Sequence, residues 1–124
     1  MNRADANEAN IYRFVDEALN RGIYTVVDES RGEFANQSKK RIQTWRSAFP
    51  DFFTTIQVLV ADGDWVAFRL RHEGTHQGEF LGVAPTGKRV SFASMVMNRF
   101  DQNGVVVENW GLHDHAVVLE QLRG

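Results

Sequence analysis

Residues 82–90 read GVAPTGKRV. Gly82, then four residues, then Gly87 and Lys88 nearly spell the loop that cradles nucleotide phosphates. That loop needs a Ser or Thr directly after the lysine to hold magnesium, and a helix N-terminus to receive the phosphates. Here Arg89 follows the lysine, and residues 90–100, VSFASMVMNRF, are rich in the β-branched and aromatic types that favour strands. Upstream, residues 65–76, WVAFRLRHEGTH, read as a strand as well. A phosphate loop joins a strand to a helix in a parallel α/β unit, whereas GVAPTGKR joins two long strands. The stretch therefore reads as the structural connector of an antiparallel sheet, with Phe80 and Leu81 as its small apolar centre.

Working outward, residues 54–61 (TTIQVLVA) form a preceding strand, and Asp62-Gly63-Asp64 is a turn signal. Residues 89–101 form a third strand, Gln102-Asn103-Gly104 a tight turn, and residues 105–113 a fourth strand. Before Pro50 the periodicity is helical. Ala9, Ile11, Tyr12, Val15, Ala18 and Leu19 recur at helix spacing over residues 7–20, and Arg21-Gly22 ends the pattern. A shorter helix is expected over residues 23–29. A third, residues 38–49, would bury Ile42, Trp45, Ala48 and Phe49 and stop at Pro50. A closing helix is expected over residues 115–122. Helices followed by an antiparallel meander define an α+β chain.

The bulk numbers narrow the classes of function. With 124 residues the chain has the length of one domain, residues 1–124. Its 43% hydrophobic and 24% charged residues are globular values, and the net charge of −2 gives no electrostatic footprint for nucleic acid or an anionic membrane. There is no cysteine, so disulfides, thiolate nucleophiles and thiolate-held metals are excluded. No apolar run suits a signal peptide or a membrane span, and a cytoplasmic protein is expected.

Register adds a further expectation. If the turn at residues 102–104 sets the pairing, Met95, Met97 and Arg99 share a face with Val106, Glu108, Trp110 and Asp114. Phe92, Val96, Phe100, Val105 and Val107 take the other, unless a bulge swaps some of them. Both faces are then largely apolar, while an antiparallel sheet covered on one side would show water a polar second face. Helices and a pocket would cover one face and a second copy part of the other, which predicts a homodimer.

The titratable residues offer few centres of chemistry. His72/His76 and His113/His115 form two pairs, the second within GLHDHAVVLE, residues 111–120. A His-x-His followed by Glu has the ligand types of a metal site. Such a site would resemble that of cupins, but the upstream glycine of the cupin pattern is missing and residues 116–122 read as a helix in place of a strand, so no metal is expected. Asp114 stands where the last strand meets the last helix. It suits a helix N-cap; at the mouth of an apolar pocket it would equally suit a general base. Trp110, Met95 and Met97 are either core or pocket wall. Tyr12 on the first helix could offer its phenol to a ligand. Arg69 and Arg99, inside apolar strands, need partners such as Glu108 or Glu73. No Ser or Thr stands in a nucleophile setting.

Several stretches together resemble the SnoaL-like polyketide cyclases. They are RSAFPD (46–51), ADGDWVAFRLRHEGTHQGEFLGVAPTGKRVSF (61–92), NRF (98–100), NGVVVENW (103–110), Asp114 and LEQL (119–122). The run GTHxGxF…PTGK followed by W-x3-D carries the likeness, which covers about two-thirds of the chain from Trp45 onward. The resemblance implies a nuclear-transport-factor-2-like cone, with N-terminal helices packed on a strongly curved antiparallel sheet that encloses a cavity, and dimerisation through the sheets. It also implies cofactor-free aldol cyclisation of a polyketide ester. Asp114 would remove the proton next to the carbonyls, with His76 as a polar pocket contact and Trp110 in the wall. Family members usually carry a longer segment before the third helix, with a strand and an Asp-His pair. Here residues 28–40, DESRGEFANQSKK, are short and offer neither that histidine nor a strand. Two functions follow as expectations. One is cyclase or isomerase chemistry on a small hydrophobic or polyketide-like ligand, with Asp114 as general acid/base. The other is a non-catalytic small-molecule binder or dimeric adaptor of the same fold.

Overall fold

The computed structural model describes residues 2–124. Helix α1 spans Arg3–Arg13 and continues as a π-helical turn, Phe14–Leu19. It begins four residues before the apolar periodicity, because the Asn2 side chain accepts the Asp5 backbone N–H at 2.8 Å and caps an otherwise polar first turn. Helix α2 is Thr25–Ser30, and a 3-10 turn, Gly32–Phe34, leads into α3, Ala35–Ala48. The short segment at 28–40 is thus helix end, turn and helix start, with no strand, as its sequence implied.

The strands are β1 (Phe53–Asp62), β2 (Trp65–Thr75), β3 (Arg89–Phe100) and β4 (Val106–His113), and α4 spans His115–Arg123. They form one antiparallel sheet in the order β1-β2-β3-β4. Every connection is therefore between neighbours, which gives an α+β meander with the helices on one face. Among the described residues no helix is long and apolar enough to cross a membrane.

One face of the sheet is buried. Val66, Phe68 and Leu70 from β2, Phe92 and Phe100 from β3 and Val106 from β4 pack against Ile11, Val15, Ile42 and Trp45 of the helices. Trp45 sits at the centre, stacked on Phe52 at 5.7 Å and edge-on to Phe92 at 5.5 Å. A fully buried aromatic removes about 150–250 Å² from water. At about 25 cal/mol per Å², each contributes roughly 4–6 kcal/mol before entropy is counted. Pairing Met97↔Trp110 and Arg99↔Glu108 confirms the expected register, but a bulge between Arg99 and Phe100 pairs Phe100 with Val106. Val106 is accordingly on the buried face and Val107 on the exposed one, the reverse of the simple alternation.

The connector after β2 is held by its own backbone. His76 N–H donates to Lys88 O and Gly87 N–H to His76 O, both at 2.8 Å, with Gly87 at φ 72°. Lys88 Nζ donates to the carbonyls of Leu122 (3.0 Å) and Gly124 (2.5 Å), satisfying the C-terminal end of α4. The lysine of the phosphate-loop look-alike is therefore a helix-end clamp. Gly78 is required by proximity: a Cβ there would overlap the Ser47 carbonyl, while its own N–H reaches Ala48 O at 3.0 Å.

Candidate functional site

Between α3 and the buried face of the sheet lies a cavity of about 40 Å³. Helix spacing brings Ser38, Arg41, Ile42 and Trp45 of α3 to it, and the π-turn adds Phe14 and Leu19, five residues apart. The sheet contributes cross-strand pairs of alternating inward residues: Ser94↔His113, Val96↔Gly111 and Asn98↔Asn109. Arg31 completes the lining from the turn after α2. Arg31, Ile42, Trp45, Ser94 and Asn98 are buried, whereas Phe14, Arg41, Asn109 and His113 are half-buried and form the rim.

A chain of hydrogen bonds runs through the sheet to this cavity. Thr54 Oγ1 lies 2.8 Å from His72 Nδ1, His72 Nε2 2.7 Å from Ser94 Oγ, and Ser94 Oγ 2.6 Å from His113 Nδ1. Its direction follows from proton counting. Both histidines are neutral near pH 7. Burial, with help from His113 and His115, lowers His72 to about 3. Burial, then the Arg41 charge and His115, lowers His113 to about 4. The buried Thr54 hydroxyl has no other partner for its proton among the described residues, so it donates to His72 Nδ1. His72 Nε2–H then donates to Ser94, and Ser94 donates to His113 Nδ1. His113 is left with its proton on Nε2, free of any protein partner among the described residues. The chain thus makes a cavity-lining histidine a neutral hydrogen-bond donor.

The electrostatics of the lining are one-sided, because it includes no Asp or Glu. Arg31 is only 2% exposed. Its Nη1 donates to Asn10 Oδ1 (2.7 Å) and Ser30 Oγ (2.9 Å), and its guanidinium lies 4.2 Å over the Phe14 ring. Nη2 is buried without a partner among the described residues. Burial lowers Arg31 to about 9 and also lowers Arg41. Neither is among the ion pairs of the described residues, which are otherwise numerous along the surface. His115, beside the cavity, accepts the Trp45 indole N–H at 3.0 Å on Nε2.

The residues singled out in the sequence fall in separate places. Asp114 is exposed and caps α4, its Oδ1 accepting from Val117 N–H at 3.2 Å, outside the cavity lining. His76 is fully buried under the connector, where Nδ1 accepts from Thr86 N–H at 3.1 Å and Nε2 has no partner among the described residues. Tyr12 is exposed on α1. Trp110, Met95 and Met97 come together, but on the sheet face away from the cavity, with Val58, Val60 and Leu112. Trp110 is 64% exposed, and its indole N–H donates to Glu108, the partner of Arg99 at 3.1 Å. Of the lining residues, His113 was noted in the sequence as half of a histidine pair, whereas Arg31, Ser38, Arg41, Ser94, Asn98 and Asn109 were not singled out. The signal for three of them is polarity on the inward alternation of β3 and β4. For Ser38 and Arg41 it is their four-residue spacing to Ile42 and Trp45 respectively.

Comparison with known proteins places this architecture. The chain is similar to AclR, a proposed hydroxylase of Streptomyces galilaeus, with 29% identity and a TM-score of 0.85 over 97% of this chain and 82% of that one. IdmH, a proposed polyketide cyclase of Streptomyces antibioticus, is 27% identical with a TM-score of 0.82 over 95% and 99%. A proposed polyketide cyclase of Acidithiobacillus ferrooxidans is 26% identical with a TM-score of 0.80 over 99% and 98%. No curated protein matches the chain. The sequence pattern described as SnoaL-like polyketide cyclase matches residues 4–122. With that span the match takes in all four helices and all four strands, and the chain belongs to the SnoaL-like polyketide cyclase family.

Proposed function

We propose that the protein removes a proton next to a carbonyl of a small ligand, without a cofactor, in an intramolecular aldol cyclisation or a related isomerisation. The observation that carries this reading is the composition of the cavity: the free Nε2–H of His113 and two guanidinium groups share a lining with no carboxylate. Loss of an α-proton puts negative charge on the carbonyl oxygen, and donors already oriented in a water-poor site stabilise that charge most. A neutral imidazole held in one tautomer suits this role because its donor needs no reorganisation as charge develops. Asp114 is the proposed acid/base. It follows His113 directly in the chain, and the reading requires a ligand that extends from His113 past the end of β4 to this exposed carboxylate. Kinship with a proposed polyketide cyclase supports a polyketide-like ligand.

A binder without turnover is the second reading. It is favoured by the cavity of about 40 Å³, against the roughly 300 Å³ at which ligand pockets begin, and by the exposed position of Asp114. Exchange of α-protons for deuterium in a 1,3-dicarbonyl probe, followed by proton NMR, separates the two. Protein-dependent exchange that falls in both His113→Gln and Asp114→Asn supports the enzyme. Binding of the probe with no protein-dependent exchange leaves the binder.

We also propose that the functional unit is a homodimer. Val58, Val60, Met95, Met97, Trp110 and Leu112 form an exposed, largely apolar face on β1, β3 and β4, with Ala67 and Arg69 of β2 between β1 and β3. Clusters of this kind mark interaction surfaces. A regular antiparallel face can pair with its own copy about a two-fold axis.

A further inference from the structure

We infer that the ligand of this cavity carries a carboxylate, received by Arg31 and Arg41. The inference deepens the proposed function, since it names a substrate class for the same cavity. Arg31 is buried with its Nη2 directed to no protein acceptor, and the residues around it supply neutral oxygens only, Asn10 Oδ1 and Ser30 Oγ. A buried cation without a counter-charge is costly, and water can complete its hydrogen bonds without neutralising it. Arg41 brings a second guanidinium to the same cavity, also without a carboxylate within 4.0 Å among the described residues, and its charge reaches His113 and His115. Two positive groups thus face one small space in a chain whose net charge is −2.

Shape selects among anions. The planar guanidinium fork matches a planar carboxylate through paired N–H donors. The cavity of about 40 Å³ has room for about three water-sized atoms, at roughly 10–15 Å³ each, so it receives the carboxylate end of a ligand whose remainder leaves through the half-buried rim of Phe14, Arg41, Asn109 and His113. Phe14 covers one face of the Arg31 guanidinium, so an acceptor must approach in the plane of the fork, along the unpartnered Nη2 edge. His113 lines the same space and can take a carbonyl oxygen on the same molecule. The ligand class is therefore a small oxo-acid in place of its uncharged ester.

The test is a titration followed by nitrogen-edited NMR, using acetoacetate, methyl acetoacetate and inorganic phosphate as probes. Acetoacetate is expected to bind at least tenfold more tightly than its methyl ester and than phosphate, shifting the Arg31 side-chain and His113 signals. Arg41→Gln, at the half-exposed rim, is expected to weaken acetoacetate at least tenfold and the ester less than twofold. Its fold is checked by circular dichroism, and Arg31 is left intact because its substitution would disturb buried hydrogen bonds. Equal affinity for acid and ester overturns the inference, as does an unchanged Arg41→Gln or a phosphate affinity equal to that of acetoacetate. Deuterium exchange is scored separately. Exchange of the ester without preferential binding of the acid sinks the carboxylate inference alone, whereas tight binding of the acid without exchange sinks the proton-abstraction reading alone.

Discussion

Ser94 Oγ stands between two histidines, 2.7 Å from His72 Nε2 and 2.6 Å from His113 Nδ1. One hydroxyl on β3 thereby couples a ring buried in β2 to a ring at the cavity from β4. The tautomer of His113 is thus decided three strands away, at Thr54 on β1.

Ser94→Ala should release that control. Nitrogen NMR of labelled histidine is expected to show one Nε2–H tautomer of His113 in the native protein and a mixture in the variant. The variant also leaves the buried His72 Nε2–H without an acceptor. It should lose about 1–3 kcal/mol of stability, the cost of an unsatisfied buried polar group. A single unchanged tautomer in the variant would disprove the directional chain.

The same histidines set an acid limit. For each, the folded pKa lies below the unfolded value of about 6.5, so the unfolded chain takes up protons first as pH falls. Their contribution is complete above about pH 6.5. It is lost progressively as pH drops through about 4 for His113 and about 3 for His72. Chemical denaturation between pH 7.5 and 4 should show the midpoint falling, with a shallower fall in His113→Asn. Identical slopes would remove His113 from the account.

Asp114→Asn separates chemistry from capping, because Asn caps helices as well as Asp does. Stability is expected to change by less than about 0.5 kcal/mol, whereas Asp114→Ala should cost about 1 kcal/mol. If Asp114 is the acid/base, α-proton exchange should fall by a factor of about 100 or more in the Asn variant. Undiminished exchange would leave Asp114 as a helix cap only.

Trp110→Lys tests the sheet face. Sedimentation is expected to give a dimer for the native chain and a monomer for the variant, with the far-ultraviolet spectrum unchanged. A native chain that sediments as a monomer at high micromolar concentration refutes the dimer.

Gly78→Ala should be severe, since its Cβ would meet the Ser47 carbonyl, which belongs to backbone and cannot swing aside. A loss of several kcal/mol, or failure to fold, is expected in thermal denaturation. A mild effect would mean that the connector moves freely against α3, despite the Gly78 and Gln77 N–H bonds to Ala48 O.

Much of the architecture is legible along the chain because it rests on local patterning. The apolar period of α1, the stop at Pro50, the β-branched runs and the two tight turns are each encoded within a dozen residues. The resemblance carried by GTHxGxF, PTGK and W-x3-D reached the family that the match over residues 4–122 confirms. What misled was also local: the period placed the start of α1 by its apolar residues, although a capping Asn2 begins it earlier. Strict alternation misassigned Val106 and Val107 because a bulge of one residue reverses every face beyond it.

By itself, then, the sequence determined the α+β order and the antiparallel meander, since each follows from near-neighbour chemistry, and its motifs carried the resemblance to the family. Only the tertiary structure decided which side chains share the cavity. Arg31, Arg41, Ser94 and His113 come from four elements separated by as many as 82 positions, 31 to 113, and no local period links them. The same packing set Trp110, Met95 and Met97 on the opposite face and Asp114 at the head of α4. Sequence spacing says which face of a strand a residue takes relative to its neighbours. Which face meets the helices depends on where the chain buries the larger apolar surface, and that is a property of the whole fold.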